Sequence, residues 1–274
     1  MNLFEINPET CNQDGICAEI CPSRIIHFRK SRYPSPTAGA EAACIRCGHC
    51  VAVCPSGSLS HRALPVEQCP PVNRDFQLSP EQCEHFLRAR RSIRTYKKKA
   101  VPGDEIQRVI EMARYAPTGR NAQDAQWLVL GKRAEIHNLA RLVVAWMQWM
   151  TEHETEVAAA MHLDQTVRLW QSGDDIIFRN APVLIVAHAE KGNIRALESC
   201  TIALSYLELA ATSMGLGCCW AGYFMRAAAV YQPLKEALPL PGGHQSFGAM
   251  MLGYPKYKYH RLPLRKVPEI TWRL

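Results

Sequence analysis

Two cysteine-rich stretches near the start of the chain constrain its fold more than any other feature. They are CNQDGICAEICP at residues 11–22 and CIRCGHCVAVCP at residues 44–55. The second has the spacing C-x2-C-x2-C-x3-C-P, which is typical of iron–sulfur cluster ligands. The first matches it except that Asp14 stands where the second has Cys47. The chain must therefore fold so that two short loops present several thiolates to metal.

Cysteine usage supports metal binding rather than disulfide formation. Seven of the twelve cysteines fall in the two stretches. The first ten residues lack a basic region followed by an apolar core, so we expect no secretory signal and a cytoplasmic protein. In that compartment cysteines indicate metal or redox chemistry. No apolar stretch is long enough to span a bilayer, so we expect no membrane association. We interpret the other cysteines as buried or incidental thiols: Cys69, Cys83, Cys200, Cys218 and Cys219.

Residues 1–60 resemble the two-cluster bacterial ferredoxins. In that family the fourth cysteine of each run ligates the other cluster, so the ligands of the two runs cross. The resemblance implies two sites, each with three ligands from one run and one from the other. One site would be formed by Cys44, Cys47, Cys50 and Cys21, and the other by Cys11, Asp14, Cys17 and Cys54.

Asp14 allows two interpretations. Some ferredoxins carry Asp at this position, where the carboxylate ligates the fourth iron of a 4Fe-4S cluster, and iron accepts oxygen donors. The alternative is a three-iron 3Fe-4S cluster with Asp14 unbound. We favour carboxylate ligation, and in both cases the site keeps a cluster because the three cysteines remain.

The rest of the chain predicts an α+β domain. Residues 63–78 are rich in proline and lack periodicity, so we assign a ferredoxin-like domain to 1–62, a linker to 63–78 and a second domain to 79–274. Ser79 and Pro80 are typical of a helix start. Further predicted helices cover 103–117, parts of 134–171, 194–215 and 227–238. Predicted strands are QWLVL, PVLIVAHA, CCWA and GAMMLG, which together indicate a central sheet flanked by helices.

The second domain contains a bulky apolar patch formed by Trp146, Met147, Trp149 and Met150. We assign this patch to a dimer or helix-bundle core rather than to a substrate lid.

The formal net charge is +7, and RARRSIRTYKKK at 88–99 concentrates positive charge. Such a run can hold a phosphate-bearing cofactor or an acidic protein. No nucleic-acid-binding module accompanies it, so we expect no nucleic-acid partner.

Four short motifs follow one another in the second domain. They are RRSIR (90–94), APTGRNAQ (116–123), GLGCCWAG (215–222) and LGYPKYKYHRLPLRK (252–266). The chain has no glycine-rich dinucleotide-binding motif or P-loop. In this order the motifs resemble the FMN-dependent nitroreductase family across 79–274. The resemblance implies that family's fold, bound FMN and an intertwined homodimer.

The same resemblance implies which residues bind FMN. Arginine forks bind phosphate through charge-assisted hydrogen bonds, and a cation beside the flavin ring favours the reduced flavin. Arg94 would supply that cation. No protein acid or base is required, because the flavin performs the chemistry, so no catalytic residue is predicted. The implied cofactor-binding set is Arg90, Arg91, Ser92, Arg94, Pro117, Thr118, Asn121, Trp220, Ala221, Gly222, Arg265 and Lys266.

Together the two resemblances predict an iron–sulfur flavoprotein oxidoreductase. Electrons from a low-potential donor, such as a reduced ferredoxin or flavodoxin, would cross the two clusters and collect on FMN. They would pass to a small acceptor such as a nitroaromatic, a quinone or an activated double bond. NAD(P)H is the alternative donor. The alternative function is an electron-transfer protein that relays electrons to a protein partner without small-molecule turnover.

Overall fold

In the computed structural model, which describes residues 2–274, the chain divides into two units. The first contains the chain up to Gln77 together with Gly119–Ala122, and the second contains Leu78–Thr118 and Gln123–Leu274. Among residues 2–274, no helix is both long enough and apolar enough to cross a bilayer.

The first unit is built from short elements, because the two cysteine loops occupy much of its chain. Its elements are β1 (Phe4–Ile6), α1 (Ile16–Glu19), β2 (Ile26–His27), β3 (Ser35–Pro36), α2 (Ala40–Ala43), α3 (His49–Ala52) and β4 (Leu59–His61). Strands β1 and β4 pair antiparallel, as do β2 and β3. Beneath them lies a small apolar core that includes Leu3, Phe4, Ile26, Val51 and Leu59. Two 3-10 turns follow, at Val66–Gln68 and Arg74–Phe76.

The second unit alternates helices and strands. Its helices are α4 (Pro80–Ala89), α5 (Gly103–Ala113), α6 (Arg133–His153), α7 (Thr155–Ala160), α8 (Leu163–Gln171), α9 (Ala196–Ser213), α10 (Gly222–Val230) and α11 (Gln232–Ala237). Its strands are β5 (Gln126–Leu130), β6 (Val183–Glu190), β7 (Gly217–Trp220) and β8 (His244–Gly253). The strands form one antiparallel sheet in the order β5-β6-β8-β7.

Helices cover both faces of this sheet. Because successive strand residues point to opposite faces, Ile185 of β6 packs with α5 and α9, whereas Leu184 and Val186 pack with α6, α8 and α10. Strand β6 is buried along nearly its whole length, as its continuous apolar sequence predicted. The predicted α+β class with a central sheet flanked by helices is confirmed.

Most local predictions in this unit are confirmed, and two are corrected. Ser79 caps α4 in a capping box with Gln82, and Pro80 is the first helical residue. The helix predicted near 227–238 is two helices, since Tyr231 adopts an extended backbone conformation between α10 and α11 and Pro233 follows it. Strand β8 is longer than GAMMLG because its pairing with β6 continues to His244.

The bulky apolar patch of α6 is divided between core and surface. Trp146, Met147 and Met150 are buried in the core beneath the sheet, as expected for a helix-bundle core. Trp149 is 42% exposed and stacks on His153.

Candidate functional site

The four thiols Cys21, Cys44, Cys47 and Cys50 line one cavity of the first unit. Cys21 comes from the first cysteine run and the others from the second. The walls are largely apolar, with Leu3, Phe4, Ile25 and Ile26 among the lining residues. Burial raises the pKa of the Cys50 thiol to about 11. A thiol in this setting is protonated when no metal is bound, and iron would replace the proton.

A second cavity holds the other predicted ligand set. Cys11, Asp14, Cys17 and Cys54 all line it. The empty space at the two sites, including the part open to solvent, is similar, about 400 and 320 Å³. One carboxylate oxygen of Asp14, Oδ1, accepts a hydrogen bond from the backbone N–H of Ile16 at 3.2 Å. The other oxygen, Oδ2, has no partner among the hydrogen bonds of residues 2–274, so the carboxylate can offer it to iron.

The two cysteine loops share their backbone conformation. Gly15 and Gly48 occupy matching positions and have φ of +77° and +75°, in the left-handed region that favours glycine. Two residues before Gly15 and Gly48, Gln13 and Arg46 are also left-handed, with φ of 53° and 51°. A Cβ at Gly15 would also contact the Phe28 ring. The loops therefore turn in the same way, although one carries Asp14 and the other Cys47.

In the second unit, RRSIR is fixed to the end of the sheet. The backbone N–H of Ile93 donates to the carbonyl of Cys218 in β7 at 2.8 Å. The Arg90 guanidinium pairs with the carboxylate of Glu208 in α9 at 2.9 Å, where 22% of the Arg90 side chain and 10% of the Glu208 side chain are exposed. Arg91 and Ser92 are half-buried and Arg94 is exposed. The backbone of the segment is thus anchored to β7, and the Arg90 guanidinium is held by Glu208.

Gly217 makes the close approach of RRSIR to β7 possible. A Cβ there would lie 2.8 Å from the Cβ of Ile93, closer than real side chains pack. We expect Gly217→Ala to lower the free energy of unfolding by about 1–3 kcal/mol, because overpacking displaces the neighbouring segment. Urea unfolding followed by tryptophan fluorescence would measure the change.

Gly192→Ala is the matched control, because a Cβ at Gly192 would meet no atom within 4 Å. A stability of Gly217→Ala equal to that of Gly192→Ala would contradict this account of the packing.

The chain's last segment passes beside RRSIR. Lys97 N donates to Tyr254 O at 2.9 Å, and Lys256 N donates to Thr95 O at 3.0 Å. Further along, the Arg91 guanidinium lies 6.0 Å from the ring centroid of Tyr259. Arg265 and Lys266 lie beyond this point and are exposed. The structure thus brings the start of this segment to RRSIR.

The remaining predicted cofactor residues lie in two loops. Trp220, Ala221 and Gly222 form the junction between β7 and α10, and a Cβ at Gly222 would meet no atom within 4 Å. Pro117 is exposed, and Thr118 Oγ1 accepts from Gln123 N at 2.9 Å.

Asn121 lies in the first unit. It belongs to a 3-10 turn, Gly119–Asn121. Its side-chain amide donates to the carbonyls of Ile45 and Arg46, at 3.2 and 3.0 Å. Asn121 therefore holds the loop between Cys44 and Cys47.

The other cysteines lie apart from the two cavities. Cys200, Cys218 and Cys219 are buried, and Cys69 and Cys83 are exposed. Burial raises the pKa of Cys219, and the positive charge of the nearby Arg94 opposes the shift.

Comparison with known proteins shows the family. A family model described as the nitroreductase family matches residues 87–254, more than half of the chain. This chain belongs to the nitroreductase family. A second model, described as a 4Fe-4S dicluster domain, matches residues 3–55. The chain is therefore an oxidoreductase in which an iron–sulfur domain precedes a nitroreductase domain.

Relatives agree with this assignment of the nitroreductase domain. A protein of Archaeoglobus fulgidus, provisionally named an NADH dehydrogenase/NAD(P)H nitroreductase, is 22% identical over 64% of this chain and 87% of the relative. An FMN-bound nitroreductase from Desulfitobacterium hafniense has a TM-score of 0.55 and 23% identity, and covers 71% of this chain and 99% of its own. An FMN-bound nitroreductase from Bacteroides fragilis has a TM-score of 0.54 and 22% identity, and the match covers 68% of this chain and 98% of that protein.

Two residues of the nitroreductase domain were missed by the sequence analysis. Glu208 is the buried one of the two carboxylates in the largely apolar helix α9, which was the available signal, but its partner Arg90 lies far away in the sequence. Gly217 lies in the motif GLGCCWAG, yet the need for glycine arises from contact with Ile93.

Proposed function

We propose that this nitroreductase carries two iron–sulfur clusters and FMN, and that it passes electrons from a low-potential donor to a small organic acceptor. The observation that carries the proposal is the pair of cavities, each lined by four ligand side chains drawn from both cysteine runs. Bound clusters would pass single electrons, and bound FMN would collect two of them for the acceptor.

The chain's residues fit the clusters. Cys21, Cys44, Cys47 and Cys50 would hold one 4Fe-4S cluster as thiolates. Cys11, Cys17, Cys54 and the carboxylate of Asp14 would hold the other. The apolar walls limit solvent access, which with cluster charge sets the reduction potential.

The nitroreductase domain also fits FMN. Arg90, Arg91 and Ser92 would bind the phosphate, with Arg265 and Lys266 from the last segment, because guanidinium groups bind phosphate in a charge-assisted way. Arg94 would lie beside the flavin ring, together with Pro117 and Thr118. Trp220, Ala221 and Gly222 would contribute backbone, and the open space beside Gly222 supports this placement.

We further propose that the protein is a homodimer. The last segment of the chain exposes large apolar side chains: Leu264 is 92% exposed, Val267 86% and Trp272 70%. Such side chains are stabilised when a second copy covers them. The cytoplasmic location remains a prediction from the sequence.

The proposal is tested by purifying the full chain anaerobically and measuring iron, sulfide and flavin, followed by stopped-flow turnover with nitroaromatic and quinone acceptors. We expect slow reduction by NADPH and faster reduction by a low-potential donor, such as a reduced ferredoxin. A colourless, metal-free protein would contradict the proposal. Faster reduction by NADPH would assign the donor to the nicotinamide, and reduction without acceptor turnover would favour relay to a protein partner.

Asp14→Cys tests the ligand at position 14. A thiolate is a softer donor than a carboxylate and suits iron–sulfur clusters better. We therefore expect the variant to retain its fourth iron during mild oxidation, whereas the wild-type site releases iron and gives a three-iron EPR signal. In the variant, the reduction potential of the cluster at position 14 should shift, while the reduction potential of the all-cysteine cluster stays unchanged. Identical EPR spectra and potentials for variant and wild type would show that position 14 has no influence on the cluster.

A further inference from the structure

His61 lies outside both cysteine runs, yet it contacts Cys44, one of the predicted cluster ligands. It is the last residue of β4, is 4% exposed and lines the cavity of Cys21, Cys44, Cys47 and Cys50. Its Nε2 lies 3.5 Å from the Cys44 sulfur, a distance suited to an N–H···S hydrogen bond. Neither cysteine motif contains this residue, and the proposed function gives it no role.

A second hydrogen bond determines which ring nitrogen carries the proton. The backbone N–H of Ala63 donates to His61 Nδ1 at 3.0 Å, so Nδ1 is the unprotonated nitrogen. The neutral ring therefore carries its proton on Nε2, which faces the Cys44 sulfur. His61 is thus oriented as a donor to that sulfur.

The position of this donor matters because the cavity is largely apolar. Hydrogen bonds gain strength where water is excluded, and donors to cluster sulfurs are among the factors that set a cluster's potential. The sulfur of Cys44 also accepts from Arg46 N at 3.4 Å. In the other cavity, the Cys54 sulfur accepts from Ser58 N at 3.2 Å and lies 3.7 Å from the Ser56 hydroxyl, and no imidazole contributes there within residues 2–274.

We propose that His61 tunes the cluster held by Cys21, Cys44, Cys47 and Cys50, by donating from Nε2 to the thiolate of Cys44 and so raising that cluster's reduction potential. The inference rests on the proposed function, because it requires a cluster at this site. If a bound cluster were reduced by one electron from an external reductant, part of the added negative charge would lie on its thiolates. The Nε2–H of His61 would then stabilise the reduced state more than the oxidised state.

The test is a redox titration of the cluster-loaded full chain with dithionite, followed by EPR. In His61→Leu, the ratio of reduced to oxidised cluster at the wild-type midpoint should fall about tenfold, which equals about 59 mV for a one-electron couple. His61→Gln should recover most of the difference, because its amide nitrogen can replace Nε2 as a donor. The Asp14-site cluster should keep its potential in both variants and serves as an internal control.

His27→Leu is the matched control, since His27 is an exposed histidine of the same unit. If this cluster has the same midpoint potential in cluster-loaded wild type and in cluster-loaded His61→Leu, the inference about His61 is overturned and the proposed function still stands. A wild-type chain without this cluster would overturn the proposed function as well.

A measurement on unsubstituted His61 covers the case in which His61→Leu does not assemble the cluster. Pulsed EPR of protein labelled with ¹⁵N-histidine should show coupling between the reduced cluster and an imidazole nitrogen. A His49→Gln background removes the other histidine that lines the cavity. Absence of the coupling in the loaded protein would overturn the inference.

Discussion

Cys21→Ala should remove the cluster of the second cysteine run, although Cys21 belongs to the first. In the structure Cys21 shares its cavity with Cys44, Cys47 and Cys50. We expect the iron content to fall by about four atoms per chain, the share of one cubane. The signal of the Asp14-site cluster should remain. Turnover with a one-electron donor should fall strongly, because an electron carrier is lost, while FMN content should not change.

The measurement is iron and sulfide analysis with EPR of the reduced protein purified anaerobically. Cys54→Ala is the reciprocal variant and should remove the Asp14-site cluster instead. Cys69→Ala, at an exposed cysteine outside both cavities, is the control and should keep both clusters. Loss of the Asp14-site signal in Cys21→Ala would mean that each run binds its own cluster.

Glu208→Gln should destabilise the nitroreductase domain by about 3 kcal/mol. Removing one member of a buried ion pair leaves the other charge without its partner, which typically costs about 3–5 kcal/mol. The lower end applies here because 22% of the Arg90 side chain remains exposed. Glutamine preserves the volume of the side chain, so the loss reports the charge rather than a cavity.

Urea unfolding of the protein stripped of FMN would measure this effect, because the phosphate of bound FMN would give Arg90 another partner. Glu84→Gln is the matched control, because its ion pair with Arg88 is exposed and such pairs contribute about 0.3–0.5 kcal/mol. The double variant Glu208→Gln with Arg90→Met should regain part of the stability, since no unpaired charge is left. A Glu208→Gln protein as stable as Glu84→Gln would contradict the proposed role of the pair.

The sequence predicted those parts of the fold that depend on near neighbours along the chain. Ser79 and Gln82 form a capping box three residues apart, and the apolar run from Val183 predicted a buried strand. The division of residues 227–238 into α10 and α11 was missed, because Tyr231 interrupts the helix without a glycine, and only Pro233 gave a local sign.

In the candidate site, too, features that depend on local sequence were predicted, and contacts between distant residues were missed. The resemblance of the two cysteine runs to two-cluster ferredoxins implied the ligand sets, and the structure brings the members of each set together in one cavity. Arg90 was identified through a motif, but its partner Glu208 was not, because 118 positions separate them. His61 was missed for a related reason, since its contact with Cys44 depends on how β4 folds back beside the cysteine loop.

By itself, the sequence predicted the types of the candidate ligands and the order of the two domains, and its resemblance to two-cluster ferredoxins implied how those ligands group. These depend on covalent spacing and on motifs, which are properties of the chain before it folds. Only the tertiary structure decided that His61 faces the Cys44 sulfur, that Glu208 pairs with Arg90 and that Gly217 admits Ile93. These contacts join residues with no common local pattern, because burial in a folded core brings them together.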